Sequence, residues 1–149
     1  MRLSSKGEYA TRAILELSRR YKDNEPVPVD IIAKAQSIPP RFLEQILLSL
    51  RRAGFVRSRR GPKGGYILAK APKQISIAQV TRAIDGPLAP VACVSQLEHE
   101  DCELSETCEL KWVWQEVRDK ISDILESVSF QDIIDKKWEI GDNTKGGEK

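Results

Sequence analysis

Residues 55–68 constrain the fold more than any other stretch of the chain. Phe55-Val56-Arg57-Ser58-Arg59 and Gly65-Tyr66-Ile67-Leu68 are short β-prone runs, and Arg60-Gly61-Pro62-Lys63-Gly64 between them has the composition of a turn. This predicts a β-hairpin with a basic tip. The rest of the chain is patterned for helices, so the expected fold is mainly α with one small β-hairpin.

From Lys6 to Tyr21, the residues Tyr9, Ala10, Ala13, Ile14, Leu17 and Tyr21 recur at steps of three and four, which predicts a first helix. Asn24-Glu25-Pro26-Val27-Pro28 stops it, because proline cannot continue a helix and biases its predecessor toward extended backbone. A short helix over about Asp30–Gln36 follows, and Ser37-Ile38-Pro39-Pro40 turns the chain into a third over about Pro40–Ala53. In that third helix Leu43, Ile46, Leu47 and Leu50 form the buried stripe, leaving Arg41, Gln45, Ser49 and Arg52 on other faces. A fourth helix spans about Ile77–Ile84 and stops at Asp85-Gly86-Pro87. Three helices, a basic hairpin and a closing helix follow the order of a winged helix-turn-helix, whose third helix enters the major groove while its wing touches the DNA backbone or minor groove.

Beyond the fourth helix, a turn-rich loop over about Leu88–Cys108 holds all three cysteines, Cys93, Cys102 and Cys108. Then Leu110, Trp114, Val117, Ile121, Ile124 and Val128 alternate steps of four and three. That is a heptad seam, suited to a long helix packing against its twin in a dimer or against its own core. The expected organisation is a DNA-binding domain over 1–84, a cysteine loop over 85–108, a long dimerisation helix and a last short helix (about Phe130–Trp138) over 109–138, and a disordered tail over 139–149.

The net charge of +2 conceals an uneven distribution. Residues 1–73 hold 16 of the 24 Lys and Arg but only 6 of the 22 Asp and Glu. The basic half suits a polyanion, because Lys and Arg release counterions when they neutralise phosphates. No apolar run approaches the roughly 18 residues of a membrane span, and no N-terminal stretch has the make-up of a secretory signal, so a cytoplasmic protein without a membrane partner is expected. Cytoplasmic thiols stay reduced, which turns three closely spaced cysteines toward metal or redox chemistry.

Two constellations carry chemistry. The first is the third helix with the wing. Arg41 and Gln45, one turn apart, suit guanine and adenine edges, with Arg52 on the same outward side. Arg57, Arg59, Arg60 and Lys63 suit phosphates or a narrow minor groove, and Gly61, Gly64 and Gly65 suit positive φ and close approach to a phosphate. The second is C-x8-C-x5-C. Paired CxxC motifs, the strong zinc signature, are absent, and the looser spacing suits an object with several metal atoms, such as an iron–sulfur cluster. His99, the single histidine, and Glu8, Glu103, Glu106 and Glu109 are candidates for the remaining ligand. A reduced-thiol redox loop or a Cys3His zinc site also fits the spacing.

Met1-Arg2-Leu3-Ser4-Ser5-Lys6-Gly7-Glu8-Tyr9-Ala10, Phe42-Leu43-Glu44-Gln45, Leu50-Arg51-Arg52-Ala53-Gly54-Phe55-Val56 and Arg60-Gly61-Pro62-Lys63-Gly64-Gly65-Tyr66-Ile67-Leu68 together resemble the IscR/NsrR family, the Rrf-two family of winged-helix regulators, over about Met1–Lys137. The Arg-Gly-Pro-x-Gly-Gly-Tyr wing is the most specific piece. The resemblance implies a homodimeric transcription factor whose cysteine loop holds a two-iron or four-iron cluster and whose long helix makes the dimer. It also implies that the cluster lies near the first helix of the other subunit, where Glu8 matches the acidic ligand of the nitric-oxide-sensing branch. In the cluster-biogenesis branch a histidine three residues after the last cysteine completes the site, and this chain has Lys111 there. Glu8 could instead pair with Arg12 one turn on.

The expected function is a homodimeric regulator that binds an operator in double-stranded DNA and senses cluster status, redox state or nitric oxide. The alternative is a cofactor-free or zinc-binding winged-helix repressor governed by a protein or small-molecule partner. An enzyme is not expected, since no catalytic triad, P-loop or paired catalytic carboxylates can be assembled from this sequence.

Overall fold

A computed structural model describes residues 2–137. The expected tail and Trp138 lie outside the described residues, but the last helix, expected to run to Trp138, already ends at Asp135, because Lys136 turns into the left-handed region at φ 54° and caps it. The chain forms α1 (Ser5–Arg19), α2 (Val29–Gln36), α3 (Pro40–Arg52), β1 (Val56–Arg59), β2 (Gly65–Leu68), α4 (Ile77–Asp85), α5 (Lys111–Ser127) and α6 (Phe130–Asp135). Single 3-10 turns lie at Tyr21–Asp23, Pro72–Gln74 and Ala92–Val94. The mainly helical fold with one antiparallel hairpin is the one the sequence predicts.

Ser4 caps α1 by accepting from the Gly7 N–H at 2.9 Å. The Asp85 carboxylate, at the far end of α4, accepts from both the Ser4 N–H and its hydroxyl. This puts a negative charge at the positive end of the α1 dipole and fastens the end of α4 to the start of α1. Gly7 suits this contact, because a Cβ there would push the Asp85 carboxylate out of its place on Ser4. Ala10, Ala13, Ile14 and Leu17 are buried as the period predicts, and Tyr9 meets the Phe42 ring of α3 edge-on at 5.6 Å. Tyr21 departs from the expectation. The helix ends two residues earlier, so Tyr21 begins a 3-10 turn and is exposed.

Glu16 is a buried carboxylate that periodicity does not foresee. It accepts from Arg20 Nε at 2.8 Å and from Gln36 Nε2 at 2.9 Å, joining α1 to the end of α2. From Ser37, held in the left-handed region at φ 53°, the chain passes through the two prolines into α3. There Leu43, Ile46, Leu47 and Leu50 are fully buried. Each such side chain contributes about 1.5–3 kcal/mol relative to exposure, so this stripe fixes which face of α3 looks outward.

The hairpin pairs Val56 with Leu68, Arg57 with Ile67, Ser58 with Tyr66 and Arg59 with Gly65. Val27 adds a one-residue third strand, exchanging two backbone hydrogen bonds with Tyr66 at 2.8 and 2.9 Å. Gly65 therefore lies against the Val27 carbonyl, where a Cβ would collide. Gly61 takes positive φ (113°), as does Gly65 (156°), but Gly64 does not. Gly64 is needed for space, because a Cβ would lie 2.5 Å from the Arg59 carbonyl.

α4 begins with a Ser76–Gln79 capping box and ends at Gly86, φ 86°. α6 returns to the N-terminal core. Phe130 is 1 % exposed among the core residues, and its N–H donates to the Ile75 carbonyl at 3.0 Å. α5 is different, since none of its residues is buried. Of the seam ends, Leu110 is the N-cap and is exposed, while Val128 is the C-cap and is buried within this chain.

Burial alone would push the Glu16 carboxyl up, but hydrogen bonds from Arg20 and Gln36 and the charges of Arg20 and Arg19 outweigh it and hold the group below the ordinary glutamate range. A lowered folded-state value contributes stability that is present above the unfolded value and is lost as pH falls through the folded one. Glu16→Gln is expected to cost about 1–3 kcal/mol near neutral pH. In thermal melts its deficit should shrink below about pH 4. A deficit constant from pH 3 to pH 7 would contradict this.

Candidate nucleic-acid interface and cysteine loop

α3 lies with Leu43, Ile46, Leu47 and Leu50 in the core, and this turns Arg41, Glu44, Gln45, Leu48, Arg51 and Arg52 to the exterior. Ser49 is half-buried, and its hydroxyl donates to the Gln45 carbonyl at 3.2 Å. Arg51 donates to the Ser58 hydroxyl at 3.1 Å and so ties the end of α3 to β1. Glu44 and Leu48 share the exposed face with Arg41, Gln45 and Arg52, although the sequence reading does not single them out; carrying the helical period outward from the buried stripe finds both.

At the hairpin Arg57, Arg59, Arg60 and Lys63 are all exposed. Among the described residues no carboxylate comes within 4.0 Å of the cations on Arg41, Arg52, Arg57, Arg59, Arg60 or Lys63. Cations without carboxylate partners keep their full field for an incoming polyanion. Positive φ at Gly61 and the lack of side chains at Gly64 and Gly65 make the tight tip that presents them. The wing also borders a cleft against Glu25, Pro26 and Pro28.

The cysteine loop is anchored by buried Leu88, Val94 and Ser95. Cys93 sits in the 3-10 turn Ala92–Val94 and is half-buried, Cys102 is exposed, and Cys108, just ahead of α5, is half-buried. All three thiols are free. The Ser95 hydroxyl accepts from the Glu98 N–H at 3.0 Å, just after the turn that holds Cys93, and the Cys102 carbonyl accepts from the Ser105 N–H at 2.9 Å, closing a turn that begins at Cys102.

Two of the candidate fourth ligands are engaged elsewhere, while Glu103, Glu106 and Glu109 are exposed on the loop and just after it. His99 is half exposed, with Nε2 3.4 Å from Asp101 Oδ1. Glu8 is exposed in the first turn of α1 and pairs with Arg12 at 2.5 Å. Among the described residues no three His, Cys, Asp or Glu side chains are grouped closely enough to share one ion. The donor set itself fits an iron–sulfur cluster: three unpaired, solvent-reachable thiols, soft ligands of the kind such clusters require, on a loop with few buried residues. One chain brings them to the surface without assembling them around a point.

Lys111 cannot replace the histidine found at that position in the biogenesis branch, because an ammonium has no lone pair to give. Its Nζ instead donates to the Ser105 hydroxyl at 2.7 Å. Farther along α5, Arg118 donates to the Val94 carbonyl at 2.6 Å. Neither tie has a sequence signal, since each joins residues whose spacing follows no helical or strand period.

Comparison with known proteins agrees with this geometry. Residues 3–136 match the Rrf2 family, described as "Iron-dependent Transcriptional regulator". The chain is 38 % identical over 137 residues to an rrf2-like HTH-type transcriptional regulator of Rhodobacter capsulatus, covering 89 % of this chain and 91 % of that protein. It is 34 % identical over 137 residues to the HTH-type transcriptional regulator IscR of Pectobacterium carotovorum, covering 92 % and 81 %. Among solved structures, CymR, the global cysteine regulator of B. subtilis, superposes with a TM-score of 0.77 at 28 % identity over 93 % of this chain and 99 % of that one. IscR of T. potens gives 0.71 at 28 % over 100 % and 94 %. With its winged-helix core, basic wing and matched length, the chain belongs to the Rrf2 family of transcriptional regulators.

Proposed function

We propose that this regulator works as a homodimer whose DNA affinity is set by an iron–sulfur cluster at the cysteine loop. The observation that carries the reading is the coincidence of two unmet needs in one segment. Three free thiols lead directly into a 17-residue helix with no buried residue, whose seam residues Trp114, Val117 and Ile121 are only half-buried and whose Ile124 is exposed. An apolar stripe of this period is stable when a partner covers it, and a second α5 is the partner of matching pattern. Dimerisation would also bring a second α1, and with it Glu8, to a loop that one chain leaves short of ligands. The iron-dependent description of the family and the IscR relatives support the same cofactor.

In this reading Cys93, Cys102 and Cys108 hold the cluster, and Glu8 of the other protomer completes the set after leaving Arg12, with His99 as the second choice. A bound two-iron or four-iron cluster would supply one-electron redox chemistry and reactivity toward nitric oxide. The residues of the chain do the rest. The loop lies between α4 and α5, so a change in how its thiols are held alters how the two protomers meet and how far apart their α3 helices stand. That separation must match half-sites about one helical turn of DNA apart. Arg41, Gln45 and Arg52 would read the major groove, while Arg59, Arg60 and Lys63, with Gly64 and Gly65 permitting close approach, would grip the backbone. Residues 1–84 bind, 85–108 sense and 109–138 dimerise.

The non-convergence of the thiols in one chain, with the likeness to CymR, gives a cluster-free regulator as the second reading. Zinc, or no metal at all, in anaerobically purified protein would favour it.

Two outcomes are expected with an operator selected from random duplex DNA. Arg59→Ala with Arg60→Ala should weaken binding to all sequences alike and lower the slope of log affinity against log salt by about 0.9 per lost phosphate contact, whereas Gln45→Ala should cost about 1–3 kcal/mol on the preferred site alone. An unchanged salt slope would remove the wing from the interface. In anisotropy titrations, cluster-loaded and apo protein should differ in affinity by about five- to 150-fold, a coupling of roughly 1–3 kcal/mol; equal affinities would refute the switch.

A further inference from the structure

The two turns of the cysteine loop are fastened to α5 at different points, in each case by a cation on the helix. Lys111, the first residue of α5, donates to the Ser105 hydroxyl at 2.7 Å and reaches the Ser105 carbonyl at 3.4 Å. Ser105 lies between Cys102 and Cys108. Arg118 donates from Nη1 to the Val94 carbonyl at 2.6 Å, and Val94 directly follows Cys93. The Arg118 side chain is only 16 % exposed, and its Nε and Nη2 are both 2.7 Å from Asp119 Oδ1. Seven residues separate the cations, two helical turns, so they lie on one face of α5 about 10 Å apart. Each thiol-bearing turn is therefore gripped by a separate turn of the same helix face.

A planar guanidinium that serves the Val94 carbonyl and Asp119 together fixes direction as well as distance, which a lysine ammonium on a flexible stem does not. The turn it grips is itself well folded. Val94 and Ser95 are buried, Ser95 accepts from Glu98, and the Glu100 N–H points to the Ala92 carbonyl at 3.4 Å. A rigid turn on a rigid link transmits displacement to the helix.

We propose that Arg118, assisted by Lys111, is the positioning residue through which a change at the cysteines moves α5. Neither residue ligates metal or touches DNA in this proposal, and it rests on the cluster-responsive reading given above.

The test uses full-length wild type, Arg118→Ala, Arg118→Lys, Lys111→Gln and, as a control for loss of an exposed cation from α5, Lys120→Ala. Each is reconstituted anaerobically, assayed for iron and sulfide per chain, examined by visible circular dichroism, and titrated loaded and apo against one selected operator duplex. Arg118→Ala is expected to load with a changed dichroic band and to bind DNA as apo protein like wild type. Its loaded-to-apo affinity ratio should fall to within about twofold, against about five- to 150-fold for wild type and Lys120→Ala. Arg118→Lys should recover only part of the ratio. A fully loaded Arg118→Ala that keeps the wild-type ratio overturns the proposal, as does equal loss in Lys120→Ala. Should Arg118→Ala fail to fold, Lys111→Gln carries the same comparison, with a reduced ratio expected and an unchanged one contradicting the clamp. Wild type that takes up no iron and sulfide overturns the cluster reading instead. Hydrogen exchange on apo protein then judges the clamp alone: the Ser95, Glu98 and Glu100 amides should exchange faster in Arg118→Ala while mid-α5 amides do not, and unchanged loop protection overturns it.

Discussion

Close packing around α1 is the constraint on which the rest depends. α1 touches α2, α3, α4, α6 and β2, and it can do so because Gly7, Ala10 and Ala13 present almost no bulk where neighbours approach, while Ile14 and Leu17 fill the space between. Interiors packed to crystalline density leave little room for adjustment at such a hub. The Ser4–Asp85 lock pins one end of α1 to the end of α4, and the Glu16–Gln36 bond pins the other to α2. With α1 held, α3 has one way to seat its buried stripe, and Arg41, Gln45 and Arg52 must point outward. The outward face of α3 is a by-product of core geometry.

The same constraint explains which parts of the fold were legible in the sequence. α3 and the hairpin were, since a four-residue leucine and isoleucine stripe and a Gly/Pro turn are local signals. Bonds between distant residues were not. The Val27–Tyr66 bridge, the Glu16–Gln36 bond and the return of Phe130 to the core have no periodic trace. Gly64 shows the limit in miniature: a glycine was foreseeable there, but the reason is the Arg59 carbonyl and not a positive φ. The heptad seam was legible as a pattern, yet its last member, Val128, packs into its own chain, so the part of the seam that is not buried ends at Ile124. For the candidate site, the residue types were readable from spacing and resemblance, while the ties from Lys111 and Arg118 were visible only in three dimensions.

The fold divides its chemistry along the chain. The basic surface lies on α3 and the wing, both seated on the rigid core, and the thiols lie on a loop that joins that core to a helix with no buried residue. In the proposed switch the element that would move is the one least committed to the core. α4 stands between the two regions. Asp85 ties its end to α1, and Arg82 pairs with Glu126 on α5, so α4 is fastened to both the helical core and α5. Allosteric coupling needs an element that two sites bias, and the α4–loop–α5 segment has the connections for it.

The central claim is that Cys93, Cys102 and Cys108 hold an iron–sulfur cluster. Its most direct test is purification without oxygen, followed by visible absorption and by iron, sulfide and zinc content per chain, for wild type and Cys102→Ala. The account predicts coloured wild-type protein with matching iron and sulfide, and loss of both in Cys102→Ala; the iron-to-chain ratio then separates two-iron from four-iron forms. Colourless wild-type protein that stays so after anaerobic reconstitution would contradict it.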